Sequence, residues 1–340
     1  MMAAALRELT ADLCSGPALR ALYDGDDTQA EARWQRLAEL GLFGVLAPTQ
    51  SGGMGLADPD FVLLAEEAGR AALPEPLTEQ AALAVPALRE LSASEAAAAL
   101  LPEAVCGNAR CAIAHPQNPF IEVPPGVTHW LLCQPGSIRL ARAAEVRTVA
   151  AASVDVSRQL RELTRPPEVG SVVASGEAAE RAAARILNRA AVYGAAECLG
   201  ITDRLLASAA DYARERTQFG KPIGSYQAIK HHLASVAVKL EFARAVVYAA
   251  VARVAEPHAR AAAGASHAKL AAGDAADLAA RTAIQVHGAM GYSWELDLHF
   301  YMKRAWALQG AWGGRSFHAR RLQELLGAGA LALGPEHTFA

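Results

Sequence analysis

The stretch ERTQFGKPIGSYQAIKHHLA, residues 215–234, decides how the rest of the chain is arranged. Gly220, Pro222 and Gly224 interrupt it, and glycine and proline end helices because of their backbone geometry. Ser225 is suited to cap a following helix, which the pattern predicts from about residue 226 to residue 254. The stretch therefore predicts the end of one helix, a tight polar turn and the start of another.

Charged and aromatic side chains flank this turn and suit it to a ligand. Arg216 and Lys221 place positive charge at the joint, where a guanidinium can hold a pyrophosphate through two hydrogen bonds. Phe219 can pack against a flat ring. Further along, Gln285 precedes Gly288 by one helical turn, and its amide can meet a carbonyl or a ribose where the glycine lets backbone approach closely. The alternative is an ordinary helical hairpin with a capped turn and no ligand.

Two motifs in these stretches resemble the flavin-contacting part of the acyl-CoA dehydrogenase family. The family pattern R-x-x-F-G-x-x-[IL]-x-x-x-Q is matched by Arg216, Phe219, Gly220, Ile223 and Gln227. The pattern Q-x-x-G-G-x-G-[FY] is matched by Gln285, Gly288, Gly291 and Tyr292, with Ala289 in place of the second glycine. The resemblance covers most of the chain, including WQRLAELGLFGVLAPTQSGGMGL near the N-terminus.

The resemblance implies that FAD is bound across a subunit interface. In the family, the arginine and the phenylalanine meet the pyrophosphate and adenosine end of a neighbouring subunit's FAD, and the glutamine loop closes over the same end. The cofactor-binding residues that it implies are Arg216, Phe219, Gln227, Gln285, Gly288 and Ala289.

Composition excludes several other classes of protein. The 340-residue chain has a formal charge of −3, so it lacks the basic footprint of a nucleic-acid-binding protein. No apolar run is long enough to predict a membrane span, and no secretory signal is recognisable. The five cysteines include no CxxC pair, so we expect neither a disulfide framework nor a metal site. A reduced cytoplasmic location is the natural expectation.

The fold expected is mainly α with a small β domain. Residues 1–109 form an N-terminal helical domain, residues 110–176 the small middle β domain, and residues 177–340 a C-terminal four-helix bundle. Strands are predicted at Cys111–Ala114, His129–Gln134, Ser137–Ala141 and Val146–Val154. Bundle helices are predicted at about residues 178–214, 225–255, 258–287 and 297–326, with breaks at Gly220–Gly224, Pro257 and Gly288–Gly291. The resemblance implies the same three-part architecture.

The β domain departs from the family where a self-sufficient member holds its own flavin. A T-E-P-x-x-G-S-type loop supplies hydroxyl and backbone contacts there, whereas this chain has His115-Pro116-Gln117-Asn118-Pro119-Phe120. The hydroxyl and acidic residues are missing. His115 is interpreted as a surface-loop histidine rather than a ligand contact.

The family's catalytic base is also missing from both of its expected positions. Acyl-CoA dehydrogenation needs a carboxylate within reach of the α-proton. The resemblance places it either near Ala190, about ten residues before Leu199-Gly200, or at Trp312 in the segment AWGG. Neither residue is a carboxylate. The remaining candidates are Glu197, Glu295 and Asp297, of which the last two are interpreted as caps or ion pairs.

These departures predict a subunit of a mixed acyl-CoA dehydrogenase, resembling the non-catalytic type of chain in actinobacterial α2β2 heterotetramers. Such a chain completes the FAD site of a homologous catalytic partner, whose substrate is an acyl-CoA, possibly with a steroid side chain. An electron-transferring flavoprotein is the family's usual electron acceptor. The alternatives are a self-sufficient homo-oligomeric enzyme with an unlocated base, and a helical scaffold that binds no flavin.

Overall fold

The computed structural model describes residues 2–165, 168–255 and 259–331. Six helices come first: α1 (Met2–Leu13), α2 (Gly16–Tyr23), α3 (Ala30–Glu39), α4 (Asp58–Ala71), α5 (Val85–Glu90) and α6 (Glu95–Val105). A π-helical turn, Glu79–Ala84, leads directly into α5. A short 3-10 turn, Thr49–Ser51, is followed by a glycine-rich loop that leads to α4.

A small β domain follows the N-terminal helices. Its strands are β1 (Cys111–Ala114), β2 (Ile121–Glu122), β3 (His129–Gln134), β4 (Ser137–Arg142), β5 (Thr148–Ala150), β6 (Leu160–Leu163) and β7 (Ser171–Ser175). One sheet has the order β1-β3-β4-β7, with β1 parallel to β3 and the other pairs antiparallel; the second has the order β2-β6-β5. The prediction for Val146–Val154 was too long, since only Thr148–Ala150 pairs there.

Five helices form the C-terminal bundle: α7 (Gly176–Glu215), α8 (Gln227–Val251), α9 (Ala259–His287), α10 (Leu298–Gly310) and α11 (Arg315–Gly327). The break predicted at Pro257 lies outside the described residues. With the small β domain, this bundle confirms the predicted fold class. None of the described helices combines the length and the apolar character that a bilayer crossing requires.

Two sequence predictions about the bundle were wrong. The fourth predicted helix, residues 297–326, is two helices, because Trp312 and Gly313 take left-handed backbone angles, φ 57° and 96°, that no right-handed helix contains. Ser225 does not cap α8. It ends a 3-10 turn, Ile223–Ser225, and the residue before α8 is Tyr226, which makes no side-chain cap.

The N-terminal helices are fixed to the bundle by a glycine contact between α4 and α7. A methyl group on Gly200 would overlap the backbone oxygen of Glu66 and lie 2.7 Å from the backbone nitrogen of Arg70. A methyl group on Gly69 would overlap the backbone oxygen of Glu197. The two helix backbones therefore touch, which only residues without a Cβ allow.

We expect Gly200→Ala to lower the free energy of unfolding by about 3 kcal/mol, at the upper end of overpacking costs, because backbone atoms cannot move aside as a side chain can. The intrinsic gain of alanine over glycine in a helix, about 1 kcal/mol, opposes this loss. Gly264→Ala on α9 is the matched control, since its methyl group would find nothing nearer than 3.6 Å. Chemical denaturation of both variants checks the prediction, and equal stability of the two would contradict it.

Candidate functional site

The predicted turn after α7 is a two-residue β-hairpin that presents an aromatic ring to solvent. Strands β8 (Thr217–Gln218) and β9 (Lys221–Pro222) pair in antiparallel register, Thr217 with Pro222 and Gln218 with Lys221. Phe219 and Gly220 form the tip with φ 53° and 79°, as a type I′ turn requires. Phe219 holds this conformation at a backbone cost of about 1–2 kcal/mol, and its side chain is 91% exposed.

Local contacts hold the hairpin against the start of α8. The Lys221 ammonium lies 4.3 Å from the centre of the Tyr226 ring, and the Tyr226 hydroxyl donates to the Gln218 carbonyl at 3.3 Å. Gly224 lies against the backbone of Ala213, so that the chain can turn tightly at the end of α7. These contacts therefore hold the hairpin in a fixed position where it projects from the bundle.

The second predicted motif lies at the same end of the bundle. The rings of Tyr212, near the end of α7, and His287, the last residue of α9, stack with centroids 4.2 Å apart. The helix ends as predicted, with Gly288 at φ 59°. The structure brings together at this end all six residues predicted to bind the cofactor. They are Arg216, Phe219, Gln227, Gln285, Gly288 and Ala289, and all are exposed.

The charge at this end is available to a ligand. Within the described parts of the chain, the Arg216 guanidinium has no carboxylate partner, whereas its neighbour Arg214 pairs with Asp211 at 2.5 Å. An exposed arginine beside an exposed aromatic ring suits a phosphate ester attached to a flat base. The exposed side chains at this end therefore suit a ligand that carries both a phosphate group and a flat ring.

The two expected base positions lie together in a different part of the molecule. Ala190 and Trp312 belong to one apolar cluster, which also contains Leu83, Ile113 and Ile186 from the N-terminal helices, the β domain and α7. Both residues are buried, with exposed fractions of 2% and 3%. The two positions therefore lie in the same buried, largely apolar cluster.

Trp312 is held there by three elements. Its backbone nitrogen donates to Asn118 Oδ1 at 3.0 Å, and its carbonyl lies 3.1 Å from His318 Nε2. The indole Nε1 lies 3.4 Å from Glu79 Oε1. The loop His115–Phe120 is thus hydrogen-bonded, through Asn118, to the backbone of Trp312.

His115 is half-buried rather than fully exposed on the surface loop where the sequence placed it. Its ring lies 5.8 Å from that of Trp312, and burial lowers its pKa to about 4, so the imidazole is neutral at physiological pH. Its neighbours Trp312 and Ala183 are distant in sequence, so the local pattern gave no sign of these contacts. The histidine packs the loop against the bundle.

Glu79 is a buried carboxyl group that the sequence analysis did not single out. Burial, together with the nearby carboxylates of Glu122 and Glu197, raises its pKa to about 8, against the attraction of Arg158. It stands at the start of the π-helical turn. The signal available in the sequence was a single charged residue at the head of the apolar run AALAVPAL.

Of the three carboxylates considered as alternative bases, Glu197 and Asp297 have other partners. Glu197 is buried on α7, accepts a hydrogen bond from the Thr78 hydroxyl, and has its pKa raised by burial. Asp297 pairs with Arg20 at 2.6 Å, in line with its interpretation as an ion-pair residue. Glu295 is exposed, and its backbone nitrogen donates to the Ser293 hydroxyl at 3.1 Å.

Comparison with known proteins identifies relatives over most of the chain. Residues 1–108 match the acyl-CoA dehydrogenase N-terminal domain, and residues 179–324 match the acyl-CoA dehydrogenase C-terminal domain. The chain is 34% identical over 313 residues to acyl-CoA dehydrogenase IpdE2 of Mycobacterium tuberculosis, covering 88% of this chain and 89% of that protein. It is 35% identical over 312 residues to acyl-CoA dehydrogenase FadE34 of the same organism, covering 86% of this chain and 42% of FadE34.

Solved structures share the fold. The Tcur3481-Tcur3483 steroid ACAD G363A variant superposes with a TM-score of 0.83 at 24% identity, over 97% of this chain and 98% of that chain. The ChsE4-ChsE5 complex from Mycobacterium tuberculosis gives a TM-score of 0.83 at 23% identity, over 96% of each chain. At these identities the superpositions establish the architecture.

Proposed function

This chain belongs to the acyl-CoA dehydrogenase family, and we propose that it is the non-catalytic partner in a mixed assembly, where it completes the FAD site of a homologous catalytic chain. One contrast carries the proposal. The flavin-contacting residues are exposed at one end of the bundle, whereas both expected base positions are apolar and buried. A chain that acted on its own substrate would need an accessible carboxylate at one of those two base positions.

The exposed end supplies half of a cofactor site. Arg216 would neutralise the pyrophosphate, Phe219 would pack against the adenosine end, and Gln285 with the Gly288 turn would cover it. When bound, FAD accepts the hydride that leaves the β-carbon of the acyl group. The base that removes the α-proton belongs, in this proposal, to the partner chain.

The chain's own counterpart of the flavin site does not fit the group. The loop His115–Phe120 carries no hydroxyl side chain, and its Asn118 side chain accepts the Trp312 backbone N–H. Trp312, the residue expected at one of the two base positions, is buried and carries an indole instead of a carboxylate. We therefore assign Ala190 and Trp312 no catalytic role, and place one FAD on each pair of unlike chains.

We base the proposed reaction and substrate class on the related proteins. We propose the α,β-dehydrogenation of an acyl-CoA thioester, with a steroid-derived acyl group as the first substrate class to test, because a structural neighbour is described as a steroid ACAD. An electron-transferring flavoprotein is the proposed electron acceptor, and the cytoplasm the proposed location. The proposed domains are residues 1–109, 110–176 and 177–340.

A self-sufficient enzyme is the alternative function. It requires a base outside the two expected positions, and Glu79 is a carboxyl group that already contacts Trp312. Its burial and raised pKa would allow a proton-accepting role only if Trp312 moved away.

The test is to produce the chain alone and together with a homologous acyl-CoA dehydrogenase chain encoded beside its gene. Bound FAD is measured by absorbance per polypeptide, and the mass of each complex is determined. We expect a colourless chain alone, and a pair with one FAD per two chains. One FAD per polypeptide in the chain alone, bleached by an acyl-CoA, would establish the self-sufficient enzyme instead.

A further inference from the structure

The tip of the hairpin after α7 is held in a conformation that its own strands do not explain. Phe219 keeps a left-handed backbone, φ 53°, which is unfavourable for residues with a Cβ, and its ring is 91% exposed, so burial does not offset that cost. Strands β8 and β9 have two residues each and are exposed. An isolated two-stranded hairpin is at best marginally stable in water. Other contacts must therefore hold the tip in place.

The side chain of Tyr226 contacts the hairpin at three points. Its hydroxyl donates to the Gln218 carbonyl at 3.3 Å, on one strand. The centre of its ring lies 4.3 Å from the Lys221 ammonium, on the other strand. The ring also stands edge-on to that of Phe219, with centroids 6.4 Å apart and planes at 90°. Tyr226 therefore contacts both strands and the tip residue between them.

Tyr226 is itself fixed by the start of α8. Its backbone nitrogen donates to the Ile223 carbonyl at 3.1 Å, and its carbonyl accepts from the Lys230 backbone nitrogen at 3.2 Å, in the first turn of the helix. The Ile223 backbone nitrogen in turn donates to the Arg216 carbonyl at 2.8 Å, which closes the base of the hairpin. The helix, Tyr226 and both strands therefore form one connected unit, and Arg216 stands at its base.

The two cations of the turn have different surroundings. The Lys221 ammonium lies beside the face of the Tyr226 ring, which attracts a cation. The Arg216 guanidinium has no carboxylate partner within the described parts of the chain. The first cation therefore helps to hold the hairpin, and the second remains available to a phosphate group.

We propose that Tyr226 is a positioning residue for the FAD of the partner chain: it keeps the hairpin ordered before FAD binds, so that Arg216 and Phe219 are already in place. The inference rests on the proposed function and adds to it a residue that acts through the hairpin. A segment that already has its bound conformation binds more tightly, because the binding step does not have to order it. Without the Tyr226 ring, the strained tip would relax and the affinity for FAD would fall.

Two variants separate the contacts of Tyr226. Tyr226→Leu keeps an apolar side chain but removes the hydroxyl and the ring. It should weaken FAD binding up to roughly 50-fold, since it removes one hydrogen bond and one exposed cation–π contact. Tyr226→Phe keeps the ring beside Lys221 and should weaken FAD binding up to roughly 10-fold. The measurement is the equilibrium binding of FAD to the FAD-free complex of this chain with its partner chain, with melting of each variant recorded in parallel.

A control and a double-variant cycle test whether Tyr226 acts through the tip. Tyr248→Phe is the matched control, since Tyr248 lies near the other end of α8 and loses the same hydroxyl group. The affinity for FAD should be unchanged in it. The cycle uses Phe219→Gly, because glycine has no ring and takes a left-handed backbone without strain. In that background, Tyr226→Phe should weaken FAD binding less than it does in the wild-type chain.

Equal FAD affinity of the wild type and both Tyr226 variants would overturn the positioning role, and so would an effect of Tyr226→Phe that is the same with and without Phe219. If Tyr226→Leu fails to fold or to assemble, Tyr226→Phe decides, since it removes only a hydroxyl group. Arg216→Ala separates the two proposals. A loss of FAD affinity in Arg216→Ala with unchanged Tyr226 variants contradicts only the positioning role. Unchanged affinity in all three variants would mean that the hairpin does not reach the cofactor, which contradicts both proposals.

Discussion

Arg216→Ala should strip FAD from the assembled complex while leaving the assembly intact. A charged hydrogen-bonding group that meets a phosphate contributes about 1.5–3 kcal/mol, which corresponds to FAD affinity weakened roughly 10- to 100-fold. Arg216 is exposed and has no carboxylate partner within the described chain, so its removal should not destabilise the bundle. The measurement is the equilibrium binding of FAD to apo-complex, with complex mass and melting of the chain alone recorded in parallel.

Arg214→Ala is the matched control for charge and position. Arg214 lies at the same helix end and pairs with Asp211 across an exposed surface, an interaction worth at most about 1 kcal/mol. FAD affinity should be unchanged in this variant. Arg216→Lys should recover only part of the loss, because an ammonium lacks the planar fork that binds a pyrophosphate at two points. Unchanged FAD affinity in Arg216→Ala would mean that the hairpin does not reach the cofactor.

Local sequence signals correctly predicted the turn after α7 and the end of α9. Gly220, Pro222 and Gly224 lie close together after Arg216, which is typical of a turn, and α9 ends before Gly288 as the pattern indicated. These local signals could not predict the backbone conformation of Phe219. Glycine or asparagine is typical at the first position of such a hairpin, so a left-handed phenylalanine is visible only in the structure.

The buried site was harder to predict because its contacts join distant segments. The sequence located Ala190 and Trp312 through the family pattern, but it predicted a continuous helix through residue 312. The break depends on Asn118 and His318, which hold the Trp312 backbone in place. His115 and Glu79 were misjudged or missed for the same reason, since histidine and glutamate are usually exposed and only tertiary packing buries them.

Local sequence patterns also could not predict the buried charges where the N-terminal helices, the β domain and the bundle meet, because these charges belong to distant segments. Arg304 on α10 is buried and donates to the Asp155 carboxylate, to the Leu73 carbonyl at 2.7 Å and to the Ser157 hydroxyl at 3.0 Å. Asp155 also accepts a hydrogen bond from the Tyr23 hydroxyl at 3.0 Å. One ion pair thus ties α2, the segment after α4 and the β domain to the bundle.

Arg304→Met should lower the free energy of unfolding by about 3–5 kcal/mol, because it leaves the Asp155 carboxylate buried without its cation. Methionine keeps much of the side-chain volume. The loss of unfolding free energy therefore measures the effect of the missing charge and not of a cavity. Arg315→Met is the control, since Arg315 pairs with Asp274 at the exposed surface and should change stability by less than about 1 kcal/mol. Chemical denaturation measures both.

A double variant and a pH series identify the cause of that loss. The double variant Asp155→Asn/Arg304→Met should be less destabilised than the sum of the two single changes. Arg304→Met leaves the Asp155 carboxylate unpaired, and Asp155→Asn then removes that charge.

The pKa of Asp155 is lowered by Arg304 and by the Ser157 hydrogen bond, against the cost of burial. A lowered folded-state pKa contributes stability that is present above the ordinary value of 3.8 and is lost as the pH falls below it. The gap between wild type and Arg304→Met should therefore narrow in acid, and a gap independent of pH would show that packing, not the ion pair, sets the stability of this junction.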